Sequence, residues 1–112
     1  MRTSLDNNTL TLFLEGRIDT NNAPRVDAEI TEAIDGVSPE NIVIDAANLD
    51  YISSAGLRVL MKLRKSAGRA LPVINVSRDV YDIFDTTGFT ELFDVKKALR
   101  IISVKGCVSS GL

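Results

Sequence analysis

The sequence predicts an α/β domain built on a mixed sheet. Three observations carry that reading. Short apolar or β-branched runs at residues 9–14, 41–45 and 71–76 have the length and composition of strands. Between them, apolar residues recur at three- and four-residue spacing, the pattern of a helix with one buried side. Strands alternating with helices imply parallel pairing, while the opening strands are close enough for an antiparallel pair.

In chain order, residues near Ser4 form a short partner strand to residues 9–14 across the turn Asp6-Asn7-Asn8. Gly16 interrupts, and Thr20-Asn21-Asn22-Ala23-Pro24 supplies polar capping residues followed by proline, a helix start. Val26, Ile30, Ala33 and Val37 form the inward stripe of that helix and Ile34 widens it; Gly36 and Pro39 close the segment. Residues 41–45 are a continuous apolar run ending at Asp45, expected to be central and covered on both faces. The second helix runs over residues 54–67. Leu57, Leu60, Met61 and Arg64 share one side, Val59, Leu63 and Ala67 widen it, and Gly68 stops it. After the strand at 71–76, Ser77 or Asp79 caps a short helix with Val80, Ile83, Phe84 and Thr87 inward, ended by Gly88. Phe89, Leu92 and Phe93 plug the core. The last strand is either Phe93-Asp94-Val95 or residues 99–104; residues 106–112 show no clear element.

At 112 residues the chain fits one domain, spanning 1–112. A hydrophobic share of 45% suffices for a core, and a net charge of −2 does not suggest nucleic acid. No apolar run reaches the roughly 18 residues of a membrane span, and the first residues lack the apolar core of a signal peptide. A cytoplasmic protein without a membrane partner is expected. The single cysteine, Cys107, excludes an internal disulfide and reads as an inert thiol. There is no histidine, which removes the usual general base and the commonest metal ligand. Neither Gly-x-Ser-x-Gly nor a Gly-rich phosphate loop ending in Gly-Lys-Ser/Thr occurs. No catalytic residue, metal site or cofactor is expected, and the reading is not an enzyme.

The most informative stretch is Asp50-Tyr51-Ile52-Ser53-Ser54-Ala55-Gly56-Leu57-Arg58, where the central segment turns into the second helix. Ser and Thr favour helix N-caps because their oxygens accept from the free amides of the first turn. Those amides and the helix dipole also favour a nearby anion. Ser54 is therefore either a plain N-cap or a hydroxyl placed to carry a phosphate without unfolding its own helix.

Residues 50–60 resemble the core of the STAS domain of bacterial anti-sigma factor antagonists. Gly16-Arg17-Ile18-Asp19 is similar to that family's Gly-x-x-Asp after an early strand, and Phe84, Gly88, Phe89 and Leu92 to its last helix and turn. The resemblance implies a five-stranded mixed sheet flanked by helices. It also implies partner switching: the unphosphorylated antagonist binds an anti-sigma factor that is also a serine kinase, and so releases a sigma factor. Phosphorylation breaks that complex and a serine phosphatase resets it. The acceptor lies two residues before the glycine, which here is Ser54. Many members carry an acidic residue just before the acceptor where this chain has Ser53, so Ser53 is a rival. Many also end in a C-terminal helix, and residues 105–112 do not read as one.

Around the acceptor, the expected partner-binding residues are Asp19, Tyr51, Ile52, Ser53, Ala55, Gly56, Arg58 and Lys62. Tyr51 and Ile52 flank the site, one expected buried and one exposed. Gly56 is expected to permit close approach of a partner. Arg58, Lys62, Lys65 and Arg69 lie on one helix face, either solvated or facing an acidic surface, and Arg58 is four residues from Ser54. Asp19 and Asp45 are either turn residues or shape the acceptor site. The oligomeric expectation is a monomer or weak dimer. The alternative reading is a ligand-sensing or scaffold STAS domain of a larger protein, without a serine switch.

Overall fold

The computed structural model describes residues 1–98. Five strands form one sheet in the order β1-β2-β3-β4-β5, with β1 antiparallel to β2 and every other neighbouring pair parallel. The expected mixed sheet is found.

β1 (Arg2–Asp6) and β2 (Thr9–Ile18) are joined by Asn7 and Asn8, with φ of 52° and 63°. Two left-handed residues in a two-residue loop give the primed turn whose twist suits a hairpin. Helix α1 (Ala23–Val37) opens with Pro24 in its first turn and ends at Ser38, whose φ is 46°. It buries Ala23, Val26 and Ile30. Val37, expected inward, is 42% exposed: the helix continues through Gly36 and ends on it.

β3 (Asn41–Ile52) is the middle strand and runs seven residues beyond Asp45. Two register shifts against β2 place extra residues on β3, at Ala46-Ala47 and at Asp50. These bulges let a polar stretch stay in the ladder while Leu49 and Ile52 return to the core. α2 (Ser54–Ala67) has the limits expected, closed by Gly68 at φ 73°. β4 (Pro72–Val76) leads to Ser77, whose hydroxyl accepts from the Val80 amide at 3.3 Å and caps α3 (Arg78–Thr86). Of the two candidate caps, Ser77 holds the position. Thr87 is exposed rather than inward; its hydroxyl donates to the Ile83 carbonyl at 2.7 Å and closes the helix. A single 3₁₀ turn, Phe89–Glu91, brings Phe89 between Phe84 and Phe93, with centroids 6.2 and 5.5 Å away. β5 (Asp94–Lys97) takes the first of the two candidate positions for the last strand. Residues 99–104, Cys107 and the tail lie outside the described residues.

Leu10, Leu12, Leu14, Ile18, Ile44, Ala46, Leu49, Ile52, Val73 and Val76 are the buried strand residues, and their register puts them on one face. They share a single core with Val26 and Ile30 of α1, Leu57, Leu60 and Leu63 of α2, and Val80 and Phe84 of α3. Right-handed crossovers through a sheet in sequential order put all three helices on that side. β3 is therefore central but not covered on both faces. Val43 and Asp45 are half-buried on the other face, and Asn41 is exposed there.

Candidate functional site

The site forms where β2 and β3 end side by side. Ile18 and Ile52 are paired across the ladder, and the Ser53 amide donates to the Ile18 carbonyl at 2.8 Å, carrying the pairing one step further. The chain then turns directly into α2. Ser53 has extended backbone (φ −86°, ψ 174°), and its Oγ accepts from the Gly56 amide at 3.3 Å. Its carbonyl takes the first helical bond, from the Leu57 amide at 2.9 Å. Ser53 is thus the N-cap.

Ser54 is consequently not the cap. It is the first residue of α2, and it is exposed. The two adjacent hydroxyls have separate situations: one is half-buried and turned back onto the helix, the other opens to solvent at the positive end of the dipole. A phosphate on Ser54 would meet the first-turn amides without displacing the cap.

The sequence model of the STAS domain matches residues 2–101. The chain belongs to the STAS-domain family. It is 35% identical over 86 residues to BtrV of Bordetella bronchiseptica, provisionally named an anti-sigma factor antagonist; the match covers 73% of this chain and 72% of that protein. Its fold is similar to the crystal structure of an anti-sigma factor antagonist from Mycobacterium paratuberculosis, with a TM-score of 0.76 over 88% of this chain and 85% of that one at 21% identity. It is also similar to the antagonist SpoIIAA in its unphosphorylated form, with a TM-score of 0.58 over 75% and 80% of the two chains at 17% identity.

Within this STAS domain the other expected residues divide. Ile52 is buried, Tyr51 half-buried and Ala55 half-buried. Tyr51 pairs with Arg17 in register, and the Arg17 guanidinium sits 4.5 Å from its ring centroid. No local pattern signals this Arg17–Tyr51 contact, because it depends on the bulge at Asp50. Ala55 borders a depression with Thr20, Ala23, Pro24, Asp27 and Val59, so the starts of α1 and α2 adjoin.

Gly56 has a different role from the one expected. It is buried, and a Cβ on it would lie 2.6 Å from Ile52 and 2.8 Å from Ile18. The glycine lets α2 sit down on its own strands rather than admitting a partner.

Asp19 is a turn former just past the end of β2. Its carboxylate accepts from the Asn21 and Asn22 amides at 3.0 and 3.1 Å, and its own amide donates to Asn22 Oδ1 at 2.8 Å. Asp45 does not join the site. Its Oδ1 accepts from the Ala47 amide at 2.9 Å and its Oδ2 from Asn75 Nδ2 at 3.1 Å, in mid-strand. The apolar run ends there but the strand does not.

The basic stripe is partly engaged. Lys62 Nζ lies 3.0 Å from Asp27 Oδ2 across the α1–α2 seam. Arg69 donates to the Glu40 carbonyl and to Asn41 Oδ1. Arg58 and Lys65 are exposed. Among the described residues no group of His, Cys, Asp or Glu is arranged to hold a metal, and no helix is long and apolar enough to cross a membrane.

Proposed function

We propose that this chain is an anti-sigma factor antagonist, a single cytoplasmic STAS domain over residues 1–112 that binds rather than catalyses. Unphosphorylated, it binds an anti-sigma factor with serine kinase activity and thereby releases a sigma factor. The kinase phosphorylates Ser54: its Oγ attacks the γ-phosphorus of kinase-bound ATP, ADP leaves, and the hydroxyl proton passes to a base of the kinase. The complex then separates, and a serine phosphatase hydrolyses the ester to reset the switch.

The observation that carries this reading is the division between neighbours. Ser53 spends its oxygen on the Gly56 amide, whereas Ser54 is exposed at the first position of α2. Phosphate brings close to two negative charges, favoured at a helix start but costly when desolvated in an interface. The switch therefore requires repulsion at the partner, not refolding of this chain. The names of BtrV and SpoIIAA support the partner class. On this reading Asp19, Tyr51, Ala55 and Arg58, none of them buried, serve as contact residues. Incubation with the cognate anti-sigma kinase and ATP, followed by site mapping by mass spectrometry, tests the proposal. Label is expected on Ser54; label on neither Ser53 nor Ser54 would defeat it.

A further inference from the structure

Among the described residues, the two edges of the sheet are built differently. β5 carries Lys96 and Lys97, its register against β4 is irregular, and Asp94 pairs with Lys96 at 3.5 Å. Lysines and irregular pairing are how proteins keep an edge from recruiting another strand. β1 has neither. Its five residues pair with β2 without a shift, all five are exposed, and it contains no Pro, Gly or Lys. Leu5 is 51% exposed.

The hairpin decides which backbone groups of β1 face outward. A two-residue turn closes on a pair that exchanges both hydrogen bonds, here Asp6 with Thr9. By alternation Ser4 and Arg2 also direct their groups to β2, so Thr3 and Leu5 direct theirs away from it. A second β1 laid antiparallel on this edge must pair those outward residues. Centring the two-fold axis on Ser4 sets Thr3 against the partner's Leu5 and Leu5 against the partner's Thr3, forming four backbone bonds. The same register sets Arg2 opposite the partner's Asp6, twice, at the closer non-bonded positions. An isologous contact needs a patch that complements itself, and Arg-Thr-Ser-Leu-Asp does so in charge and in bonding parity.

We infer that β1 is a self-association edge: two copies of this chain pair antiparallel about Ser4 and extend the sheet from five strands to ten. The Arg2 side chain lies 3.8 Å from Glu15 and remains 59% exposed, which leaves its guanidinium room for the partner's Asp6. Five residues a side fall below the roughly 1,200 Å² of stable complexes, so the dimer is weak and exchanges readily. The inference is independent of Ser54.

Sedimentation velocity on the full chain from about 10 μM to about 1 mM tests it. The average mass should climb from monomer towards dimer. Thr3→Pro removes an outward N–H that the hairpin does not use, so it should stay monomeric with an unchanged far-UV spectrum. Should that variant fail to fold, charge reversal decides. Asp6→Arg and Arg2→Asp should each weaken the dimer roughly tenfold, and the double reversal should restore it. A wild type that stays monomeric throughout would overturn the inference. So would self-association that ignores the charge reversals, which would belong to another face.

Discussion

The Cβ that Gly56 lacks would sit 2.6 Å from Cγ1 of Ile52, closer than real carbon atoms approach. Ile18 closes the other side at 2.8 Å, and both isoleucines are buried, β-branched residues held in the ladder between β2 and β3. Neither can swing away as the end of a flexible side chain could. Gly56→Ala therefore forces α2 outward or the strand ends apart. Overpacking of this kind costs about 1–3 kcal/mol, against a helix-propensity gain of at most about 1 kcal/mol. The urea midpoint should fall, and a midpoint equal to wild type would mean that the helix start has slack.

Ser53 and Ser54 should separate cleanly when each is changed to alanine. Ser53→Ala removes the oxygen that accepts from Gly56, with an expected loss of about 1 kcal/mol. Ser54→Ala touches an exposed position and should stay within about 0.5 kcal/mol of wild type. Kinase labelling should show the reverse order: lost in Ser54→Ala, retained in Ser53→Ala. Thermal melts and phosphate incorporation on the same two proteins check both halves. Equal melting temperatures for the two variants would contradict the cap assignment.

What the sequence encodes of the site is its local signals. The span of α2 and its stop at Gly68 follow from spacing and cap chemistry, and the structure has them where the pattern put them; for α3 the pattern offers Ser77 or Asp79, and the structure has Ser77. Which of two adjacent serines caps α2 is a one-residue question, and both residues suit the position chemically. β3 past Asp45 is not legible in the sequence, because two bulges break the alternation and Ala47, Asn48 and Asp50 carry no strand pattern. A strand that ended at Asp45 would set that residue near the helix start, whereas it belongs to mid-strand. β5 at Asp94–Lys97 is selected by its pairing with β4, a contact that no local pattern encodes. Gly56 illustrates the same limit, since its tightness depends on two isoleucines brought together by strand register.

Arg64 and Lys62 lie two residues apart on α2 but should differ in worth. Arg64 Nε donates to the Leu92 carbonyl at 2.7 Å from a half-buried position, tying α2 to the turn before β5. Arg64→Ala removes that bond and the packing of the stem, an expected loss of about 1 kcal/mol or more. Lys62 pairs with Asp27 at 3.0 Å, but its side chain is 64% exposed, so solvent screens the pair. Lys62→Ala should change stability by less than about 0.5 kcal/mol. Parallel urea titrations compare them; a larger loss at Lys62 would show that the α1–α2 seam depends on its ion pair.

Ser54→Asp puts a charge where phosphate would go and separates fold from recognition. The position is the first of α2, where an anion gains about 0.3–1 kcal/mol from the dipole and the free amides. Ser53 keeps its bond to Gly56, so the cap is untouched. The melting temperature should hold or rise slightly, and the rise should shrink as salt is added. On the proposed function, binding to the anti-sigma kinase should weaken at least about tenfold, because the added carboxylate must be desolvated in the interface. Calorimetric titration against the kinase, beside a melt of the free domain, reads both quantities. Weakened binding with a parallel drop in melting temperature would mean that the charge acts by loosening α2. Unchanged binding would mean that this end of the helix is not where the partner sits.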